Sequence, residues 1–139
     1  MANQQPAQFA QLETGYEFPP ASYTLEPHLI ESYLKATQEI DPVFEENKLV
    51  PPTAVAAYAL AALAKSMEVP PGTIHTSQGI EFAGPAYVND TITSQAIVSN
   101  KRSRKNMEII TIDIDVTNQT GATVLTGKTT FLSSPQIQI

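Results

Sequence analysis

Few side chains in this sequence have the chemistry to act on another molecule. Glu39 and Asp41 stand one residue apart, formally a pair in which one carboxyl takes a proton and the other gives one. The same two residues suit a plainer task, a solvated acidic connection in which Asp41-Pro42 makes a turn. Both readings stay open at this point. There are two histidines, His28 and His75, far apart, and no cysteine. A disulfide framework, a thiolate metal site and a cysteine nucleophile are therefore ruled out, and no metal or cofactor is expected. His28 falls in the first turn of a predicted helix and is expected to be exposed. His75 opens a predicted strand, where a structural hydrogen bond fits better than catalysis. The segment Lys101-Arg102-Ser103-Arg104-Lys105 holds four of the eight basic residues. As a solvated hairpin tip it needs no ligand. As a local anchor it suits the phosphates of a carrier, coenzyme A or the phosphopantetheine arm of an acyl carrier protein.

These groups sit in a chain of 139 residues, a length for one domain with one core. Apolar residues make up 42% and charged residues 16%, which is globular usage and unlike a disordered tail. The net charge of −6 argues against nucleic acid as a partner, because neutralising phosphates takes a concentrated basic face. Acidity is concentrated early: residues 1–50 carry eight acids and two bases, whereas residues 51–139 carry six of each. The first twelve residues lack the basic start and apolar stretch of a secretory signal. The longest apolar run, Ala54 to Ala64, is shorter than the roughly 20 residues that cross a bilayer. A cytoplasmic protein without a membrane partner is the expectation.

The elements that must position the candidates read as follows. Residues 1–20, rich in Gln, Ala and Pro, form an extended arm, and residues 21–135 form the domain. Ser22 to Leu25 is a short strand. Glu26-Pro27 opens a helix whose apolar face is Leu29, Ile30, Tyr33 and Leu34. A polar connection from Gln38 to Val50 leads to Pro51-Pro52-Thr53, which announces a helix running to about Met67. Seven of the eleven residues from Ala54 to Ala64 are alanine, and Val55, Tyr58, Leu60 and Leu63 are spread around its axis. A helix apolar on all sides is expected to be buried on all sides. After the turn Val69-Pro70-Pro71-Gly72 come strands at His75–Tyr87, Thr91–Arg102, Met107–Thr117 and Thr123–Leu132. Ile110, Ile112, Ile114 and Val116 point inward in the clearest alternation. Asn118 to Gly121 is a hairpin turn, and Gly84-Pro85 marks a bulge or an edge position. One strand, then helices, then four antiparallel strands is an α+β pattern. A single antiparallel sheet curved around an alanine-rich central helix is the hot-dog fold. Such a sheet leaves an edge and part of its helix uncovered, so a dimer is expected.

Several segments resemble the MaoC-like acyl dehydratases in order and spacing. They are Glu39-Ile40-Asp41-Pro42-Val43-Phe44, Val50-Pro51-Pro52-Thr53, His75-Thr76-Ser77-Gln78 with Glu81-Phe82, Gly84-Pro85, Asn89-Asp90-Thr91, and Val116 to Gly121. The likeness covers about Tyr23 to Leu132. It implies a hot-dog fold, acyl thioesters carried on coenzyme A or acyl carrier protein, and reversible hydration of trans-2-enoyl thioesters to R-3-hydroxyacyl thioesters. The departures carry as much meaning. The family's hydratase motif, Asp-x-Asn-Pro-x-His, reads here as Glu39, Asp41, Pro42 and Phe44. The His-Gly that begins the family's central helix reads Pro52-Thr53. The chain thus resembles the non-catalytic, N-terminal-type half of these dehydratases, which shapes the acyl tunnel while a partner supplies the catalysts.

The resemblance implies a thioester-binding subunit that works in a homodimer or with a catalytic hot-dog partner. Thr53, Ala54, Val55 and Tyr58 are its candidate substrate-binding residues, with Phe44 beside them, although capping is the simpler task for Thr53 and core packing for Val55, Tyr58 and Phe44. Lys101, Arg102, Arg104 and Lys105 are the candidates for the carrier's phosphates. The rival readings are a self-sufficient hydratase or thioesterase using Glu39 and Asp41, and a structural dimer without a thioester ligand.

Overall fold

A computed structural model of the chain describes residues 5–134. Residues 1–4 of the expected arm and residue 135 of the expected domain lie outside the described residues. The elements are β1 (Ala7–Gln8), a 3-10 turn (Phe9–Gln11), β2 (Ala21–Thr24), α1 (Pro27–Ala36), α2 (Val43–Glu46), α3 (Pro52–Lys65), β3 (Met67–Glu68), β4 (Ile74–Phe82), β5 (Thr91–Arg104), β6 (Met107–Thr117) and β7 (Thr123–Ser133). Five strands form one antiparallel sheet in the order β2-β5-β6-β7-β4. Its inner face packs on α3, which makes the fold α+β of the hot-dog type, as the pattern of strands around an alanine-rich helix predicts. The sheet is open, with β2 and β4 at its edges.

The inner face follows from period-two alternation. Ile110, Ile112, Ile114 and Val116 of β6 are all buried. Register places Val98 and Thr129 beside Ile112, and Ser94 and Leu125 beside Val116, all of them buried as well. From α3, Ala54, Val55, Ala56, Ala59 and Leu63 face this layer. The expectation that α3 is buried on all sides does not hold within one chain: Thr53, Ala57, Ala61 and Ala64 are exposed. Five strands wrap one side of a cylinder, and alanine leaves the other side no long side chain with which to reach a neighbour.

Other boundaries shift for local reasons. β4 ends at Phe82 instead of continuing to Tyr87, and its irregularity falls between His75 and Ser77, before Gly84-Pro85. β5 runs on to Arg104, because Lys105 and Asn106, with φ of 49° and 67°, make a two-residue turn before Met107. Gln38, with φ of 55°, ends α1, and the connection beyond it contains the short helix α2. The segment read as an arm is part of the core. Phe9, Leu12 and Phe18 are 1–4% exposed, and β1 pairs in parallel with β3. Phe9 meets Phe131 edge to face, with ring centroids 6.5 Å apart.

Candidate functional site

The loop between α1 and α2 holds the two candidate carboxylates, and the structure gives both of them local work. Glu39 Oε1 accepts the Asp41 backbone N–H at 3.0 Å, and Asp41 Oδ1 accepts the Val43 N–H at 3.0 Å. The second contact is an Asx turn across Pro42, which satisfies the first N–H of α2. Both residues are exposed, Phe44 is half-buried, and Ile40 between the carboxylates is 91% exposed. An open groove of about 960 Å³ runs along this loop, lined by Ile30, Leu34, Glu39, Asp41, Phe44 and Val88 among others.

Beyond α2 the chain enters α3, and a latch of polar contacts holds that entrance in place. Val50 donates to the Ala86 carbonyl at 2.9 Å, and Leu49 bridges to Tyr87. Asp90 Oδ2 accepts the Tyr87 N–H at 2.9 Å, and Gln119 grips both the Asp90 carboxylate and the Thr91 N–H at 3.0 Å each. The motif segments Asn89-Asp90-Thr91 and Val116 to Gly121 therefore meet in space. Sequence reasoning placed them in order but missed their joint task, because residues 90 and 119 belong to separate connections.

α3 itself begins without a side-chain cap, on Pro51 and Pro52. Neither proline has an N–H, and the Ala54 N–H is engaged by the Pro51 carbonyl at 2.9 Å. This entrance consequently offers fewer free donors to a carbonyl than a helix N-terminus normally does. Thr53 does not cap; its hydroxyl meets the Tyr33 hydroxyl at 2.7 Å. Ala54 and Val55 are fully buried core residues. Tyr58 is half-buried, packs edge to face on Tyr23 at 6.2 Å, and donates to the Leu29 carbonyl at 3.3 Å. Burial raises the pKa of both the Tyr23 and the Tyr58 phenol above the ordinary value.

The four cations do not form one mobile tip. Lys101 is inside β5, where its ammonium donates to the Ala10 carbonyl and to Glu13, each at 3.2 Å, with Glu108 at 3.7 Å. Its side chain is only 12% exposed. Arg102, Arg104 and Lys105 are exposed on the strand end and turn. This hairpin and the α3 entrance lie at opposite ends of the sheet, since β5 runs from the Thr91 latch to Arg104. His28 is exposed beside Glu26, and His75 bonds to Gln78 on β4. Among the described residues there is no cluster of His, Cys, Asp or Glu able to hold a metal, and no helix is long and apolar enough to cross a membrane.

With this geometry in view, comparison with known proteins defines the class. The family described as FAS1-like, dehydratase domain region, matches residues 13–127, and the chain belongs to it. No curated protein matches the sequence. Among solved structures, the R-hydratase PhaJ1 from Pseudomonas aeruginosa is 22% identical with a TM-score of 0.73, covering 88% of this chain and 82% of that one. The MaoC-like dehydratase from Rhodospirillum rubrum is 19% identical with a TM-score of 0.74, covering 91% and 95%. The HadBC (3R-hydroxyacyl-ACP dehydratase) complex from Mycobacterium tuberculosis is 19% identical with a TM-score of 0.68, covering 86% and 96%. These similarities support the MaoC-like resemblance and the hot-dog fold.

Proposed function

We propose that this protein is a MaoC-like hot-dog subunit that binds acyl thioesters of coenzyme A or acyl carrier protein without supplying the hydratase catalysts. It would serve an R-specific enoyl hydratase or 3-hydroxyacyl dehydratase, as a homodimer or beside a catalytic hot-dog partner. The observation that carries this reading is the state of the α1–α2 loop. Its two carboxylates brace the loop's own backbone, and Phe44 stands where the family motif has a histidine. Phenylalanine can neither hold nor deprotonate a water. The proline-started α3 adds support, since fewer N–H groups are available to polarise a thioester carbonyl.

Partnering is supported by β4, an edge strand exposed along all nine residues, with Ile74, Ile80 and Phe82 between 37% and 56% exposed. The HadBC complex is a precedent for hot-dog chains that work in pairs. Arg102, Arg104 and Lys105 are the cations offered to a carrier's phosphates, with Lys101 engaged internally. Purified alone, the protein is expected to hydrate crotonyl-coenzyme A no faster than background. General acid–base catalysis contributes about 10²–10⁴-fold, so its absence is plain in such an assay. Robust turnover that disappears in Glu39→Gln would overturn this reading and promote the self-sufficient enzyme.

A further inference from the structure

β4 carries a polar device remote from the α1–α2 loop. Gln78 Nε2 donates to the carbonyls of Gly79 at 3.0 Å and Lys128 at 3.4 Å, which fixes the amide with Oε1 turned away from them. That oxygen accepts the Thr129 hydroxyl at 2.7 Å and meets His75 Nε2 at 3.1 Å. An amide oxygen has no proton to give, so His75 Nε2 must be the donor, and the neutral ring is the Nε2–H tautomer. Nδ1 is then left as an acceptor. The imidazole is also held against Phe131, with centroids 4.9 Å apart and planes tilted by 33°. Thr129 is 0% exposed, yet His75 and Gln78 are exposed. A fully buried hydroxyl thus braces a preorganised imidazole on an open inner edge.

What lies beyond that edge follows from strand geometry. Antiparallel pairing of two β4 edges is self-complementary, so a second copy of this chain fits by a twofold axis. The inner-facing Ile80 and Phe82, paired in register with Gly127 and Leu125, give the contact an apolar portion. Within one chain His75 stands at the start of β4, whereas the α3 entrance follows its end: Ala86, four residues past Phe82, accepts the Val50 N–H. Seven residues of strand separate His75 from Phe82, about 23 Å at roughly 3.3 Å per residue. Antiparallel pairing reverses this, setting the start of one β4 against the end of the other. We propose that His75, braced by Gln78 and Thr129, is a ligand-positioning residue that each chain presents across the β4 edge to the α3 entrance of a second copy. Its Nδ1 accepts an N–H from the pantetheine arm that coenzyme A and acyl carrier protein share. With Nε2 committed to Gln78, the role of the ring is acceptance of a hydrogen bond at Nδ1.

This inference rests on the thioester-binding reading, and the test separates the two. The probes are crotonyl-coenzyme A and S-crotonyl-pantetheine, titrated by calorimetry against protein whose assembly state is set by sedimentation. His75→Phe keeps a ring on Phe131 and removes the nitrogen; it is expected to weaken both probes about fivefold. Long-range proton–nitrogen spectra are expected to show the Nε2–H tautomer, with Nδ1 shifting when probe is added. A heterodimer of one His75→Phe chain and one Thr53→Trp chain should regain one of its two sites at wild-type affinity, since that site combines an open α3 with an intact His75. Equal probe affinity in wild type and His75→Phe overturns the inference and leaves the thioester reading standing. So does a loss confined to the coenzyme A probe, an absence of regained sites, or a protein that stays monomeric at tens of micromolar. Wild type that binds neither probe sinks the thioester reading and the inference together.

Discussion

Tyr23 shows how one side chain ties the edge of the sheet to the helical layer. Its ring packs on Tyr58, and its hydroxyl meets Ser94 Oγ at 3.3 Å. Burial raises its pKa above the ordinary value of 10.0; the Ser94 bond opposes the rise and Tyr58 adds to it. The folded state therefore keeps a phenolic proton that the unfolded chain releases sooner. The resulting stabilisation is complete below pH 10 or so and is lost as pH climbs through the higher folded value. Urea midpoints measured at neutral pH and near pH 11 should drop in wild type and drop less in Tyr23→Phe. An identical drop in both would place the alkaline sensitivity elsewhere. The same scale governs Glu39 and Asp41. Their type and spacing suggest an acid/base pair, but a side chain within two residues of a free backbone N–H has a nearer partner than any substrate. Periodicity says nothing of that competition.

At the scale of elements, the N-terminal segment is where sequence reading and structure differ most. Its Gln, Ala and Pro content reads as an arm, and the three apolar residues that matter, Phe9, Leu12 and Phe18, follow neither a helical nor a strand period. They are nonetheless buried, with Phe9 on Phe131 and the Lys101 ammonium fixed by Ala10 and Glu13. Phe9→Ala should accordingly destabilise the fold by about 3–5 kcal/mol, the range for a fully buried aromatic. A chemical-denaturation loss under about 1 kcal/mol would make the segment peripheral. The β5–β6 hairpin differs for a related reason. A basic pentapeptide looks like a tip, yet the turn needs only Lys105 and Asn106. Replacing them with Asn-Gly, the favoured pair for positive φ at both positions, should stabilise the hairpin by on the order of 1 kcal/mol.

The whole molecule is an incomplete layer with an unpaired edge. Rows of side chains that are wholly buried at β6 and β7 become exposed on reaching β4, as Ile112 and Thr129 give way to Gln78. Phe82→Asp alters an exposed residue, so it should leave the monomer folded by circular dichroism and abolish association in sedimentation. Wild type that remains monomeric at the same concentration would count against pairing by this edge. Binding of a coenzyme A thioester should weaken as salt rises, because exposed cations contribute only about 0.2–1 kcal/mol each and are screened. Reversing the charge of Arg102, Arg104 and Lys105 together should remove most of that dependence. Identical affinities in wild type and the triple variant at low salt would make the hairpin a solvated turn.

The sequence by itself determined the α+β class, the alanine-rich central helix and the order of its long strands. Those features rest on local periodicity: Ile110 to Val116 alternate in any strand, and seven alanines in eleven residues permit close packing wherever the helix lies. Its resemblance to the MaoC-like dehydratases also puts Phe44 where that family's motif has a histidine, a difference visible without coordinates. Only the tertiary structure decided that Lys101 is engaged by Ala10 and Glu13, that Gln119 latches the loop at Asp90, and that Thr129 braces Gln78 and His75. Each of these contacts joins residues from 29 to 91 positions apart or hangs on one that does. Such pairings are set by which strands lie side by side and in what register, and no local pattern of residues encodes that choice.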